Sequence, residues 1–380
     1  MKDLSESRIL VVDDVKANVD VLVEALRGHY KLSVALDGAS ALRAIERTPP
    51  DLVLLDILMP PGIDGYEVCR QIRANPATRE IPVMFLSSLE DVRDKTRGFE
   101  VGGNDYLTKP FETLEVKARV HSLLKAKAYT DAIKEAVARE LRIAREIQMG
   151  ILPASLTAAT RGTNLDVQAI IEPARKVGGD LYEVLRAADD RVVVALGDVS
   201  GKGVPAALFM AVAVTVLRTL ARSLADPAEI LRRLNDELAE QNPRGMFVTI
   251  QCLVFDLSAK RVAVAGAGHH QLALLSPGTP PRLAFPSSGR PAGLMPLNPI
   301  ASESMPLAPG DTFVLFSDGV SEALNAADEF FGEDRLLAHL AALADDTPAA
   351  IVRGAMDAVK AFAGEAPQSD DITILAARYL

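Results

Sequence analysis

Aspartates at the ends of apolar runs are the residues best able to do chemistry in this chain of 380 residues, and they fall into two sets. In the first, the run 9–12 ends in Asp13 and Asp14, and 52–55 ends in Asp56. The run 81–86 ends in Ser87 and Ser88, and the run around Tyr106 ends in Lys109 and Pro110. In a parallel sheet these ends share the carboxyl edge, where ligands bind in open α/β folds. Clustered carboxylates repel one another, and a hard divalent cation such as Mg2+ relieves the repulsion. A carboxylate can attack a phosphoryl group, while cation, ammonium and hydroxyl hold the charge on the transferred oxygens. A lone acid at a strand end is often only a helix cap; five groups in order at matching ends argue for a built site.

The second set comprises VGGD (177–180), GDVSGKG (197–203), FSDG (316–319) and SDDIT (369–373). Each motif puts an acid at or near a strand end, and glycine beside most of them lets backbone carbonyls approach a ligand closely. With no histidine or cysteine cluster, oxygen ligands point to Mg2+ or Mn2+, not zinc. Two such ions could clamp a phosphate ester and activate a water for in-line attack. No G-x-S-x-G elbow is present, and GDVSGKG lacks the spacing of a nucleotide-binding loop, with Val204 where the hydroxyl should be. Arg175 and Lys202 could bind a phosphate or make surface ion pairs. His269 could be a general acid, but a turn or core role is preferred.

The first set needs strands at 8–12, 32–36, 51–55, 81–86 and 104–108, with amphipathic segments at 17–27, 39–47 and 66–74 between them. That alternation predicts βαβ units and a five-stranded parallel sheet of flavodoxin-like size. From Glu112 the pattern is helical to about Ile151. In a heptad frame Leu123, Thr130, Val137, Ala144 and Ile151 take the a positions, and Ala126, Ile133, Glu140 and Ile147 the d positions. The seam reads as a weak coiled coil or as a plain amphipathic linker. After Pro153, strand-like runs at 165–171, 191–199, 247–257, 261–268, 271–276, 311–319 and 370–380 mix with helical stretches at 205–223, 227–240 and 333–362. This texture predicts an α+β layered domain.

The net charge of -10 and the lack of a basic block disfavour DNA binding. Cys69 and Cys252 make no metal spacing or disulfide framework, which fits a reducing cytoplasm. The N-terminal apolar run stops at two aspartates and is not expected to be a signal peptide. The longest apolar stretch, 204–217, is short for a bilayer and reads as a buried helix, so no membrane is expected.

The first set, with DILMPPGIDGYEV (56–68), closely resembles response-regulator receiver domains over about residues 7–125. The resemblance implies Asp56 as phosphoacceptor and Mg2+ held by Asp14, Asp56 and the Leu58 carbonyl, with Asp13 acting through water. It places Ser87 and Lys109 on the phosphoryl group and makes Tyr106 the switch aromatic; Pro61 looks like an inserted residue. The second set resembles metal-dependent (PPM) serine/threonine phosphatases of the SpoIIE/RsbU type over about residues 145–380. EIQMGILP (146–153), GAGHH (266–270), SSGRPAGL (287–294), DGVSEALN (318–325) and FFGEDR (330–335) extend that likeness. It implies two Mn2+ or Mg2+ ions, with Asp198 bridging them and the Val199 carbonyl assisting. Asp180 would serve one ion, largely through water, and Asp318 and Asp370 the other. Asp371, Gly179, Gly319 and His269 are further candidates. The fold implied is a four-layer αββα sandwich.

The expected organisation is a receiver at 1–125, a helical linker and switch segment at 126–152, and a phosphatase at 153–380. The expected function is that of a two-component response regulator whose phospho-aspartate controls the phosphatase through the linker. The expected partners are a cognate histidine kinase, a phosphoprotein substrate to which the resemblance assigns the STAS anti-sigma-factor antagonist type, and a second copy paired through the linker helix. The alternative is a non-catalytic adaptor that binds a sigma-factor regulator under receiver control.

Overall fold

The computed structural model describes residues 3–88, 92–188, 190–240, 242–296, 298–343 and 346–380. Two compact units divide the chain, Met1–Arg139 and Glu140–Leu380.

The first unit alternates strands and helices: β1 (Arg8–Val12), α1 (Lys16–Leu26), β2 (Lys31–Ala35), α2 (Gly38–Arg47), β3 (Leu52–Asp56), α3 (Gly65–Ala74), β4 (Val83–Ser87), α4 (Val92–Glu100) and β5 (Asp105–Thr108). The strands form one parallel sheet in the order β2-β1-β3-β4-β5. Its central strands are continuous apolar runs because both faces are covered. Leu10, Val12, Val53, Leu55, Val83 and Phe85 pack against Ala41, Ile45, Val68 and Ile72 of α2 and α3. The alternate residues Ile9, Val11, Leu54, Met84 and Leu86 face the opposite layer. Asp37 and Asp64 cap α2 and α3, accepting from the backbone N–H of Ser40 and Glu67 at the helix starts.

One helix, α5 (Thr113–Ile151), runs for 39 residues. Its first turns bury Val116, Val120 and Leu124, at i, i+4 spacing, against the sheet. Farther along, heptad positions are open: Ile133 is 63%, Val137 49% and Ile147 62% exposed.

The second unit contains α6 (Leu156–Thr160), β6 (Leu165–Glu172), β7 (Leu181–Arg186), β8 (Arg191–Val199), α7 (Val204–Ala221), α8 (Pro227–Glu240), β9 (Val248–Asp256), β10 (Arg261–Ala267), β11 (Leu272–Leu275), β12 (Arg282–Ala284), β13 (Ser302–Pro306), β14 (Thr312–Phe316), α9 (Asp318–Ser321), α10 (Gly332–Ala342), α11 (Pro348–Ala363) and β15 (Ile372–Tyr379). Two antiparallel sheets form, ordered β13-β10-β9-β8-β7 and β12-β11-β14-β15-β6. Strand alternation assigns the layers. Val192, Val194 and Leu196 of β8 meet Phe313, Leu315, Leu375 and Ala377 between the sheets. Val193 and Ala195 face Met210, Val214 and Leu217 of α7 and Leu231 and Leu234 of α8. On the far side Val314, Phe316, Ile374 and Ala376 pack on Leu336, Leu340, Ile351 and Met356 of α10 and α11. The result is the four-layer αββα sandwich.

The 204–217 stretch is the core of α7, which is long and apolar enough to cross a bilayer by composition alone but buries Ala206, Met210, Ala213, Val214 and Leu217 in the sandwich. The helical region 333–362 resolves into α10 and α11, because Thr347 caps the second helix and Pro348 occupies its first turn. Strands β7, β12 and β13 are additions to the sequence reading. β13 is a polar edge, β12 has three residues, and β7 carries a buried glutamate, Glu183.

Candidate functional site

Strands β1, β3, β4 and β5 of the parallel sheet each deliver a group to one rim. Asp13 follows β1, Asp56 ends β3, Ser87 ends β4 and Lys109 follows β5. Carboxylate oxygens of Asp13, Asp14 and Asp56 lie within 4.8 Å of one another, close enough to share a cation. Lys109 Nζ donates to Asp13 Oδ2 at 2.8 Å and to Asp56 Oδ2 at 2.7 Å. Burial pushes the Asp56 carboxyl above its usual range; the Lys109 bond opposes this and the Asp13 charge adds to it. Burial alone would lower the Lys109 pKa by disfavouring the ammonium, but its bonds to Asp13 and Asp56 outweigh this and raise it. The Leu58 backbone N–H donates to Asp56 while the Leu58 side chain is exposed. Tyr106 is turned inward, stacked 5.5 Å from Phe85 and edge-on to Phe99 at 5.1 Å. The Pro60–Pro61 bond in the loop after Asp56 is cis.

In the sandwich, the second set of acids converges from four chain segments. Asp180 precedes β7, Asp198 lies near the end of β8, Asp318 opens α9 and Asp370 precedes β15. Their charges act on one another. Asp198 is pushed up to about 7 by burial and then by the charges of Asp318 and Asp370. Asp180, fully buried, is raised by burial and by Asp198; Asp318 is raised by burial and by Asp370. Thr373 Oγ1 holds Asp180 by donating to Oδ2 at 2.5 Å. Among the described residues, Asp180 Oδ1 and Asp318 Oδ1 are buried without a hydrogen-bond partner. A buried polar atom left so costs about 1–3 kcal/mol, more when charged, and a hard cation is the ligand that oxygen donors of this kind satisfy. The donor set therefore fits divalent ions. It is more spread out than the first: among the described residues only Asp13, Asp14 and Asp56 bring three such oxygens within 4.8 Å.

The other candidates hold the frame. Asp371 accepts from Ala174 N at 2.8 Å and from Gly179 N at 2.7 Å, so its two oxygens tie down the segment that leads into VGGD and VGGD itself. Two glycines are required by contact. A Cβ on Gly178 would lie 2.0 Å from Asp371 Oδ2, and one on Gly319 2.0 Å from the Asp371 carbonyl. The Val199 carbonyl faces Gly179, 2.7 Å from where a Cβ would project. His269 is buried between the Thr249 hydroxyl (3.0 Å from Nδ1) and the Phe316 carbonyl (3.0 Å from Nε2). A carbonyl only accepts, so Nε2 carries the proton and Nδ1 accepts from Thr249. Burial, aided by neighbouring His270, lowers the His269 pKa to about 3. Neither ring nitrogen is left for a substrate; the ring supports the chain just before Asp318. His270 Nε2 shares the Phe316 carbonyl at 3.1 Å, and its field acts on Asp318. Arg175 is exposed.

Sequence reasoning missed Gln148, Thr373 and Ser317 as parts of the frame. Gln148, near the end of α5, is buried; its Nε2 donates to the Gly178 carbonyl at 2.6 Å and its Oε1 accepts from Gly178 N at 3.2 Å. Ser317 Oγ accepts from Thr373 N at 2.9 Å and donates to the Asp371 carbonyl at 3.2 Å. All three lie inside motifs that had been singled out, EIQMGILP, SDDIT and FSDG, which was the available signal.

A flavodoxin-like unit with an acidic rim, followed by an αββα sandwich with acids at its strand ends, defines a receiver joined to a PP2C-like output domain. Comparison with known proteins makes this specific: residues 188–380 match the model of Stage II sporulation protein E, and the chain belongs to the SpoIIE family. Residues 9–121 match the response regulator receiver domain. The SiaA-PP2C domain of Pseudomonas aeruginosa superposes with a TM-score of 0.58 at 27% identity, covering 66% of this chain and 99% of that one. Response regulator PleD of Caulobacter vibrioides is 43% identical over 130 residues, 34% of this chain and 28% of PleD. Protein IcfG of Synechocystis is 31% identical over 239 residues, 55% of this chain and 37% of IcfG. The chain thus spans well under half the length of these two curated relatives.

Proposed function

We propose that this protein is a response regulator in which phosphorylation of Asp56 controls a Mg2+- or Mn2+-dependent protein serine/threonine phosphatase. The observation that carries the reading is the meeting of Asp180, Asp198, Asp318 and Asp370, whose charges act on one another and of which Asp180 and Asp318 each keep a buried, unpartnered oxygen. Bound ions would supply Lewis acidity toward a phosphate ester and a water acidic enough to attack it near neutral pH. The chain's own residues do the rest. Asp198 takes the central position, Asp180 is aimed by Thr373, and Asp371 and Gln148 fix the loop that carries Asp180. The ion-binding roles of Val199, Asp318 and Asp370, and of Asp13, Asp14 and Leu58 at the receiver's Mg2+, belong to this proposal, as do the contacts of Ser87, Lys109 and Tyr106 with the phosphorylated rim.

Phosphorylation would replace the Asp56 carboxylate by an acyl phosphate carrying about 1.5–2 negative charges and draw on the Lys109 ammonium now shared with Asp13. The helix that begins by packing on the receiver core also carries Gln148, so a change in its packing or pairing reaches the Gly178 loop. Open Ile133, Val137 and Ile147 support pairing with a second copy along the heptad seam. A histidine kinase is the proposed phosphodonor, a phosphoserine or phosphothreonine on a STAS-type anti-sigma-factor antagonist the proposed substrate, and the cytoplasm the proposed compartment. The test is phosphate release from such a phosphoprotein with Mn2+, with and without beryllofluoride on the receiver. A metal-dependent rate that beryllofluoride changes is expected. No release from any phosphoprotein offered, with Mn2+ bound, would contradict the proposal.

The raised acids give a second expectation. An acid whose pKa rises on folding binds more protons in the folded than in the unfolded chain, so it costs stability as pH rises from its ordinary value toward its folded one. For Asp198 that window runs from 3.8 to about 7. The metal-free protein should lose stability across it, and ions must displace the retained proton below pH 7. Mn2+ affinity measured by calorimetry should fall about tenfold per pH unit below 7 for each proton displaced. A pH-independent affinity would count against the site.

A further inference from the structure

Within the acidic site one cation is already present. Lys202, on the turn between β8 and α7, places Nζ 2.8 Å from Asp370 Oδ2 and 2.6 Å from the Ser369 carbonyl. Its side chain is 40% exposed, so the ammonium meets Asp370 at a solvent-accessible side of the site. Its charge also acts on Asp318. One ammonium cannot balance the carboxylates of Asp180, Asp198, Asp318, Asp370 and Asp371, but it covers Asp370, whose side chain is 31% exposed.

Resting on the phosphatase reading, we propose that Lys202 has two successive partners: Asp370 when the site lacks metal, and the phosphate of the substrate once ions are bound. The physical case is a competition. Asp370 cannot serve an ammonium and a divalent ion with the same oxygen at full strength, and two cations held that close repel. An ion arriving at Asp370 therefore displaces Lys202. The displaced side chain is exposed and flexible, with its charge at the mouth of the site. A phosphate monoester held by the ions brings the only new negative charge there, and a lysine ammonium meets it as a compact point charge with three donors. Arg175, the other cation considered for this role, is exposed and has no such tie to a ligand acid. Lys202 is thus a tethered counter-ion that becomes a substrate-binding group, and its removal should move two measurements in opposite directions.

In the full-length protein, Lys202→Ala is expected to bind Mn2+ several-fold more tightly by calorimetry, because a competing cation is gone. It should also lose on the order of tenfold or more in kcat/KM toward the phosphoprotein, because a donor to the phosphate is gone. Lys202→Arg, which keeps the charge, should restore part of kcat/KM and keep Mn2+ affinity near that of the unmodified protein. Weaker Mn2+ binding in Lys202→Ala would overturn the inference by making Lys202 a support for Asp370, and so would an unchanged kcat/KM. Asp198→Ala, measured alongside, separates the two levels. If it turns over at the unmodified rate, the phosphatase reading itself fails; if it is inactive while Lys202→Ala is unaffected, only the role of Lys202 fails.

Discussion

Asp198→Ala is expected to lower Mn2+-dependent phosphate release by about 1,000-fold or more while leaving the protein folded. Asp198 sits where the charges of Asp180, Asp318, Asp370 and Asp371 all reach it, which is why it is the carboxylate proposed to hold both ions. Burial and the charges of Asp318, Asp370 and Asp371 all oppose its ionisation, and only its hydrogen bond with Asp180 favours it. Removing it relieves electrostatic strain in the metal-free protein and takes away a ligand in the metal-bound one. The melting temperature without metal should therefore hold or rise, and the stabilisation by Mn2+ should shrink toward zero. Initial rates and thermal melts, each with and without Mn2+, give all four numbers. A variant that keeps both its rate and its Mn2+ stabilisation would show that ions, if they bind, bind elsewhere.

Asp56→Asn should abolish phosphate incorporation into the receiver from a small-molecule phosphodonor and, with it, the donor's effect on phosphatase rate. That effect corresponds to roughly 5–150-fold if the coupling is of ordinary allosteric size. Asparagine keeps the shape and can still accept a bond from Lys109, now shared between Asp13 and Asp56, but it offers no nucleophilic oxygen. The basal rate in Mn2+ should stay within a few-fold, since no group of the acidic sandwich site is altered. A donor-dependent rate change surviving in Asp56→Asn would break the link between rim and output.

What the sequence disclosed follows from how each element is buried. The central receiver strands β1, β3 and β4 and the inner strands of the sandwich are covered on both faces, so they stand out as apolar runs, and the chemistry lies at their ends. The length of α5 was legible because no glycine or proline interrupts it before Gly150. Strand β7 was not, because it holds Glu183 in the core against Arg218 Nε at 2.7 Å, and the same guanidinium donates to the Ile151 carbonyl at the end of α5. A buried charge with a distant partner breaks the apolar pattern without leaving a local trace. Gln148 was hidden for a related reason. An uncharged residue on a helix gains a role only once Gly178 lies beside it, and only the fold brings those residues together. The likeness of Asp370 and Asp371 in sequence also concealed different surroundings: one is held by Lys202 at the open side, the other is used up by backbone amides.

Anomalous diffraction from crystals grown with Mn2+ tests the central claim most directly. Two manganese peaks a few ångströms apart, bounded by Asp180, Asp198, Asp318 and Asp370, are the predicted result. Well-ordered density for those four carboxylates with no manganese between them, at Mn2+ concentrations that support turnover, would contradict it.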